Sequence, residues 1–238
     1  MAMINRWDQW LVLLINQPAG RNELLDQFVL DVADSAVLKG GIFLAAYCWI
    51  WFEKGDRRED LRRMIVASTL AALVVVLTVR LMQTGLPFHP RPLHAPDFGL
   101  NTPLSVHPES LRTWSSFPSD HAALFFALSV PIWTWSRPLG VVAFCWALIV
   151  ICLPRAYLGF HYPSDVLAGA VLGIVLMVVA RGALLRTSLP DRIVGWSGLH
   201  PGSFGAIALL YALELATLFE DARHFALDAL RLAGKLVA

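Results

Sequence analysis

The chain has 238 residues, 57% of them hydrophobic and 16% charged, with a mean hydropathy of +0.59 and a formal net charge of +1. A soluble domain carries about 25% charged residues, and here the apolar excess falls in runs nearly free of charge, the pattern of membrane-spanning helices. The near-neutral balance leaves no basic footprint for a nucleic-acid partner. Cys48, Cys145 and Cys152 all lie within apolar runs, show no CxxC or Cys/His metal spacing, and read as inert buried thiols.

Residues 1–35 mix apolar residues with Asp8, Glu23, Asp26, Asp31 and Asp34. The apolar stretch Trp10–Ile15 is short and follows Asp8, so it does not read as a signal peptide. The segment reads instead as one or two amphipathic helices at the membrane surface, with a first transmembrane span as the less favoured alternative. Six spans follow, at about 36–52, 64–82, 119–136, 139–156, 164–184 and 203–219, each near the roughly 20 apolar residues that cross a bilayer. Lys39 sits near one end of the first span, where it is expected to snorkel. The last span carries Glu214, and residues 221–238 form an amphipathic tail with Phe225, Leu227, Leu230 and Leu232 at helical spacing. The fold class is therefore all-α: a polytopic membrane bundle of about six transmembrane helices over 36–220, flanked by amphipathic ends.

Lys54, Arg57, Arg58, Arg62 and Arg63 crowd the loop after the first span, and Arg137, Arg181, Arg186 and Arg192 fall on the same side. That side is assigned to the cytoplasm. Residues 83–118 and the turn 157–163 then share the opposite face, and the length of the 83–118 connection favours a functional role.

Three polar clusters meet on that outer face. Ser119, in Pro118–Ser119–Asp120–His121, precedes a long apolar run as a good helix N-cap, and free first-turn N–H groups make an anion site there. In the second, Arg155 is followed by His161, Pro163 and Asp165. Pro163 suits a first helical position, and a carboxylate four residues after His161 could accept from one ring nitrogen and sharpen the other as a nucleophile. In the third, Pro90 and Pro92 hold Arg91 extended, with a guanidinium fork suited to phosphate oxygens. Two cations, two imidazoles, a hydroxyl and a carboxylate suit the breaking of a phosphate ester, and no acidic cluster resembles a divalent-cation site. Taken singly, each cluster also reads blandly: a capping box, a capping Asp with an interfacial His, an arginine against lipid headgroups.

In order and spacing the clusters resemble the type 2 phosphatidic acid phosphatase superfamily, whose pattern is K-x6-R-P, P-S-G-H and S-R-x5-H-x3-D. The matches are Arg91–Pro92, Pro118–Ser119–Asp120–His121, and Arg155 with His161 and Asp165, over residues 80–170. The departures are Thr84 at the lysine position, Asp120 for Gly and Pro154 for Ser. His89 or Arg80 are candidates to replace the missing cation. The Asp of the second motif is similar to a bacterial branch acting on undecaprenyl pyrophosphate.

The resemblance implies that His161 attacks phosphorus to form a phosphohistidine, that Asp165 supports it, and that His121 protonates the leaving oxygen and then activates water. Arg91, Arg155 and Ser119, with Pro92, Asp120 and Thr84 from the same motifs, would make up the phosphate site. No metal or other cofactor is implied. The expected partners are a membrane lipid substrate and the bilayer, with the site on the outer face of a bacterial cytoplasmic membrane. Undecaprenyl pyrophosphate is the first choice of substrate. Phosphatidic acid, phosphatidylglycerol phosphate, lipid A, a lipid phosphotransferase and, last, a non-enzymatic scaffold or transporter stay open.

Overall fold

A computed structural model describes residues 6–95, 99–107 and 109–219, and the expected tail helix over 221–238 lies outside them. The described chain is helical, without strands. Helices α1 (Arg6–Asn16) and α2 (Glu23–Asp34) precede a π-helical turn at Val37–Gly41 that runs straight into α3 (Ile42–Phe52). Then come α4 (Arg58–Gly85), a 3-10 turn at Pro92–His94, α5 (Asp120–Trp135), α6 (Arg137–Trp146), a π-helical stretch at Ala147–Cys152, and α7 (Leu153–Tyr157). Helices α8 (Pro163–Leu184), α9 (Leu189–Leu199) and α10 (Pro201–Ala216) complete the bundle.

Every span expected from hydropathy is helical. Among the described residues, three helical stretches are long and apolar enough to cross a membrane: Arg58–Gly85, Arg137–Tyr157 and Pro163–Leu184. Val37–Phe52 and Pro201–Ala216 are shorter apolar helices, and α5 has 16 residues. At 1.5 Å per residue, a helix of that length covers about 24 Å, short of a ~30 Å hydrocarbon core. The short helices α5 and α10 and the π-turn end where a polar cavity begins.

Helix α9 lies between the expected spans, in the stretch that Arg192 assigns to the cytoplasmic side. The Arg63 Nε–Asp191 Oδ1 pair (2.8 Å) ties it to α4. The core is apolar and close-packed, with Val75, Leu124, Phe125, Ile151 and Met177 fully buried and the Phe43 and Phe125 rings 5.4 Å apart. Outward, Leu167, Val171, Val175 and Val178 form an exposed stripe on α8 at helical spacing, the surface lipid would cover. Cys48 and Cys145 are exposed and only Cys152 is buried. Lying in an apolar run thus marks a thiol for a lipid-facing helix surface as readily as for the core.

Helices α1 and α2 leave Trp7, Trp10, Leu14, Leu24 and Phe28 exposed. Asp8, Asn16 and Asp26 turn inward. Asp26 Oδ1 accepts from Tyr157 Oη (2.6 Å), and its Oδ2 accepts from the Gly20 and Leu104 N–H groups. Asn16 Nδ2 donates to the Asn101 and Tyr157 carbonyls, and Asp8 accepts from Ser164 N–H at the start of α8. Buried polar groups persist only when bonded. These bonds lock the N-terminal helices onto the end of the bundle that carries the clusters.

Candidate active site

Two glycines bring the histidine-bearing helix starts together. A Cβ on Gly169 would lie 2.3 Å from the Ser119 carbonyl oxygen, and one on Gly173 would lie 2.0 Å from that of Ala123. Only glycine fits at such a crossing, and the four-residue spacing is the small-residue pattern of close membrane helix contacts. The Ser119 N–H donates to the Asp165 carbonyl (3.1 Å), joining the start of α5 to that of α8. From α4, Gln83 Nε2 donates to the Pro118 carbonyl (2.9 Å).

His161 lies just before α8 and is 1% exposed. Its Nδ1 is 2.9 Å from the Ser116 carbonyl. A carbonyl can only accept, so Nδ1 carries the proton and Nε2 keeps its lone pair. Nε2 lies 3.4 Å from Arg91 Nη1. The expected hydrogen bond to Asp165 is replaced by this one to the carbonyl: Asp165 Oδ2 stands 3.7 Å from Nδ1 and accepts from the Tyr162 N–H at 2.9 Å. The carboxylate caps α8 and acts on the ring through space. Burial foremost, and then Arg91, push the His161 imidazole below its ordinary range, with Asp165 opposing.

Arg91 is 5% exposed. Its Nη1 donates to the Phe160 carbonyl (2.7 Å) and its Nη2 to the Ser115 carbonyl (3.4 Å), which brace the guanidinium across the second and third clusters. Burial lowers its pKa to about 10, with Asp120 opposing and Arg155 adding, so it stays cationic at neutral pH. Arg155, 6% exposed, donates from Nη2 to the Ala33 carbonyl at the end of α2 (3.1 Å).

His121, in the first turn of α5, has Nδ1 at 2.8 Å from Asp120 Oδ1. The same oxygen accepts the His121 N–H. Arg91, Arg155, Asp120, His121 and His161 all line one cavity of about 450 Å³.

The remaining expected phosphate ligands are placed differently. Thr84 is exposed, and its hydroxyl donates to carbonyls of its own helix, Arg80 and Leu81, at 3.1 Å. It does not line the cavity, because a threonine at a helix end satisfies its hydroxyl locally. Asp120 reaches the cavity, but a carboxylate repels phosphate, and its partner is His121. Ser119 is buried and caps α5, accepting from the Ala122 N–H at 3.4 Å. Pro92 is buried at the head of the 3-10 turn and shapes the backbone after Arg91. His89 is not among the lining residues of the cavity, and its Nδ1 is 2.7 Å from Ser116 Oγ.

Two residues escaped sequence reasoning. Ser116 is fully buried and orients His161 through its backbone, a role no side-chain pattern signals. Lys39 was expected to snorkel, yet it is 8% exposed and lines the cavity. Its signal was a lone cation in an apolar span, which is costly in a membrane unless it faces a polar interior.

The sequence model of the PAP2 superfamily matches residues 62–186, just over half of the chain. The chain is 28% identical over 159 residues to undecaprenyl-diphosphatase BcrC of Bacillus subtilis, covering 65% of this chain and 72% of the relative. It is 30% identical over 132 residues to the putative undecaprenyl-diphosphatase YbjG of Escherichia coli, covering 56% and 60%. To the lipid A 1-phosphatase of Rhizobium etli it is 36% identical over 116 residues, covering 44% and 45%. Among solved structures, Aquifex aeolicus LpxE shares the fold with a TM-score of 0.53 at 23% identity, over 76% of this chain and 98% of that one. A phosphatidylglycerolphosphate phosphatase from Bacillus subtilis does so with a TM-score of 0.51 at 17% identity, over 77% and 87%. With its motifs in order, its helical bundle and this match, the chain belongs to the PAP2 superfamily and is a membrane phosphatase of that family.

Proposed function

We propose that the chain hydrolyses a prenyl diphosphate, undecaprenyl diphosphate foremost, to the lipid monophosphate and inorganic phosphate through a phosphohistidine on His161. The observation that carries this reading is the setting of His161: Nδ1–H is held by the Ser116 carbonyl, and Nε2 lies 3.4 Å from the Arg91 guanidinium beside the cavity. Nε2 attacks the terminal phosphorus and the bridging P–O bond breaks, its electron pair leaving with the lipid phosphate. Asp165, 3.7 Å from Nδ1, steadies the positive charge the ring gains as the N–P bond forms. Arg91 and Arg155 hold the equatorial oxygens, the kind of charge stabilisation that supplies most of phosphoryl-transfer catalysis.

His121, with Asp120 on Nδ1, serves as acid to the leaving oxygen and then as base to the incoming water. Water attacks phosphorus, the N–P bond breaks with its electron pair returning to His161, and phosphate departs. The names of the BcrC and YbjG relatives, the Asp of the second motif and the membrane setting favour the prenyl diphosphate over the other lipid phosphates. The excess of Lys and Arg in the loops opposite the site favours an active site on the outer face of a bacterial cytoplasmic membrane.

The test is phosphate release by the purified protein from a panel of undecaprenyl diphosphate, phosphatidic acid, phosphatidylglycerol phosphate and lipid A, with and without excess EDTA. Preference for the prenyl diphosphate, undiminished by EDTA, is expected. Preference for another lipid overturns the substrate, and loss of activity with EDTA overturns the metal-free mechanism.

A further inference from the structure

The carbonyl that fixes His161 belongs to a segment that is itself held from behind. Ser115 and Ser116 are buried, and neither lies in a helix, so no helical ladder orders their carbonyls. Three hydrogen bonds with one residue, His89, do so instead. The Ser116 N–H donates to the His89 carbonyl (2.9 Å), the His89 N–H donates to Ser115 Oγ (3.2 Å), and His89 Nδ1 is 2.7 Å from Ser116 Oγ. With its N–H and its hydroxyl both tied to His89, Ser116 has its Cα pinned and its carbonyl turned to His161 Nδ1 at 2.9 Å. Its neighbour Ser115 gives its carbonyl to Arg91 Nη2 (3.4 Å). Two consecutive residues thus present the carbonyls that hold the nucleophile and the cation beside it, and His89 anchors both.

The His89 ring is fixed in turn. It packs edge-on against Tyr162, with centroids 5.1 Å apart, and against Phe117 at 6.5 Å. Phe117 follows Ser116 in the chain and Tyr162 follows His161, so the ring is wedged between the two segments it serves. His89 Nδ1 is 3.9 Å from Asp165 Oδ1, beyond hydrogen-bond reach, and Ser116 Oγ is the nearer partner. Since His89 does not line the cavity, its action on the reaction runs through Ser116.

We infer that His89 is a positioning residue for the nucleophile: by holding Ser116 it aims the carbonyl that keeps His161 in the Nδ1–H tautomer, with the Nε2 lone pair available to phosphorus. The inference rests on the proposed role of His161 as nucleophile and deepens it. Without the side-chain bond, the Ser116 carbonyl gains freedom and His161 is no longer held in one tautomer. Only the molecules that carry the lone pair on Nε2 in the right orientation then react. Binding of the substrate anion by Arg91 and Arg155 does not depend on that tautomer, so kcat falls while KM holds.

His89→Leu removes the side-chain bond and leaves both backbone bonds in place; Ser116→Ala removes it from the other end. Each should lower kcat on undecaprenyl diphosphate about tenfold, with KM moved by about twofold or less. The double variant should be no slower than either single one, because both changes delete one shared bond. His89→Asn puts a polar atom as far from Cβ as Nδ1 and should restore kcat to within about threefold of wild type. An unchanged kcat in His89→Leu, or losses that multiply in the double variant, overturns the inference. An asparagine variant as slow as the leucine one also overturns it, and assigns His89 to the charge of Asp165 instead. Should His89→Leu not fold, Ser116→Ala, which loses a single hydroxyl, carries the same expectation. Nitrogen NMR of isotope-labelled histidines reads the clamp without turnover. The His161 signals, identified by their loss in His161→Ala, should report the Nδ1–H tautomer in wild type and a mixture of tautomers in His89→Leu or Ser116→Ala. That change without turnover of any lipid phosphate sinks the proposed activity alone. Turnover with a His161 tautomer indifferent to both variants sinks the clamp alone.

Discussion

His161 and His121, both in the cavity wall, sit in contrasting surroundings although both lie at helix starts. His161 gives its Nδ1 proton to a neutral carbonyl, Ser116, with the Asp165 carboxylate one step back at 3.7 Å. His121 has a carboxylate, Asp120, in direct contact at 2.8 Å. A neutral acceptor fixes a tautomer without favouring protonation, which suits a nucleophile that must keep its lone pair. A carboxylate in contact holds one ring nitrogen in place and leaves the other to exchange a proton. The same side chain is thereby given two chemistries by the acceptor the fold places behind it.

The largest break in this comparison is His161→Ala, expected to lower phosphate release by about 10⁴-fold or more with thermal stability retained; measurable turnover would assign the nucleophile elsewhere. Next is Asp120→Asn, which keeps an acceptor for His121 but removes the charge. A drop in kcat of about 10²-fold is expected, while unchanged kcat would reduce Asp120 to a helix cap.

The pH profile sharpens the contrast. Burial and Arg91 lower the His161 pKa from 6.5, so the lone pair survives into mildly acidic solution. The acid limb of kcat/KM that belongs to His161 should therefore fall below pH 6.5. The unfolded ring binds more protons than the folded one just below that value, so folding stability should also decline as pH drops through it. A limb above pH 6.5 would place the nucleophile in a less buried setting. The smallest effect is expected from Thr84→Lys. The residue is exposed and bonded to its own helix, so kcat/KM should change by about twofold or less. A large gain would show that the lysine position of the family still reaches the phosphate.

Much of the site was legible in the sequence because its chemistry is carried by side chains at fixed spacing near helix ends. Arg91, His121, Arg155 and His161 were named from their motifs, and all four line the cavity. The partners that tune them were not legible. Ser116 acts through a carbonyl, and every residue carries one. Asp120, expected among the phosphate ligands, is instead paired with His121. Lys39 sits far from the motifs in sequence, and its phase on a π-turn, rather than an α-helix, decides which way it points. Thr84 matched the lysine position by count alone, and position in a pattern says nothing about which groups a side chain finds nearby.

By itself, then, the sequence determined the membrane class, the helical spans and the identity of the charged and nucleophilic groups, since hydropathy and motif spacing are local properties of the chain. The tertiary structure alone decided how those groups are paired. Hydrogen bonds and the close α5–α8 crossing act between residues 45 or more positions apart, as in Ser116 with His161 and Ser119 with Asp165. It also placed Lys39 and Arg80 in the wall of the same cavity as the motif residues, because a cavity wall is assembled from separate helices that no local pattern brings together.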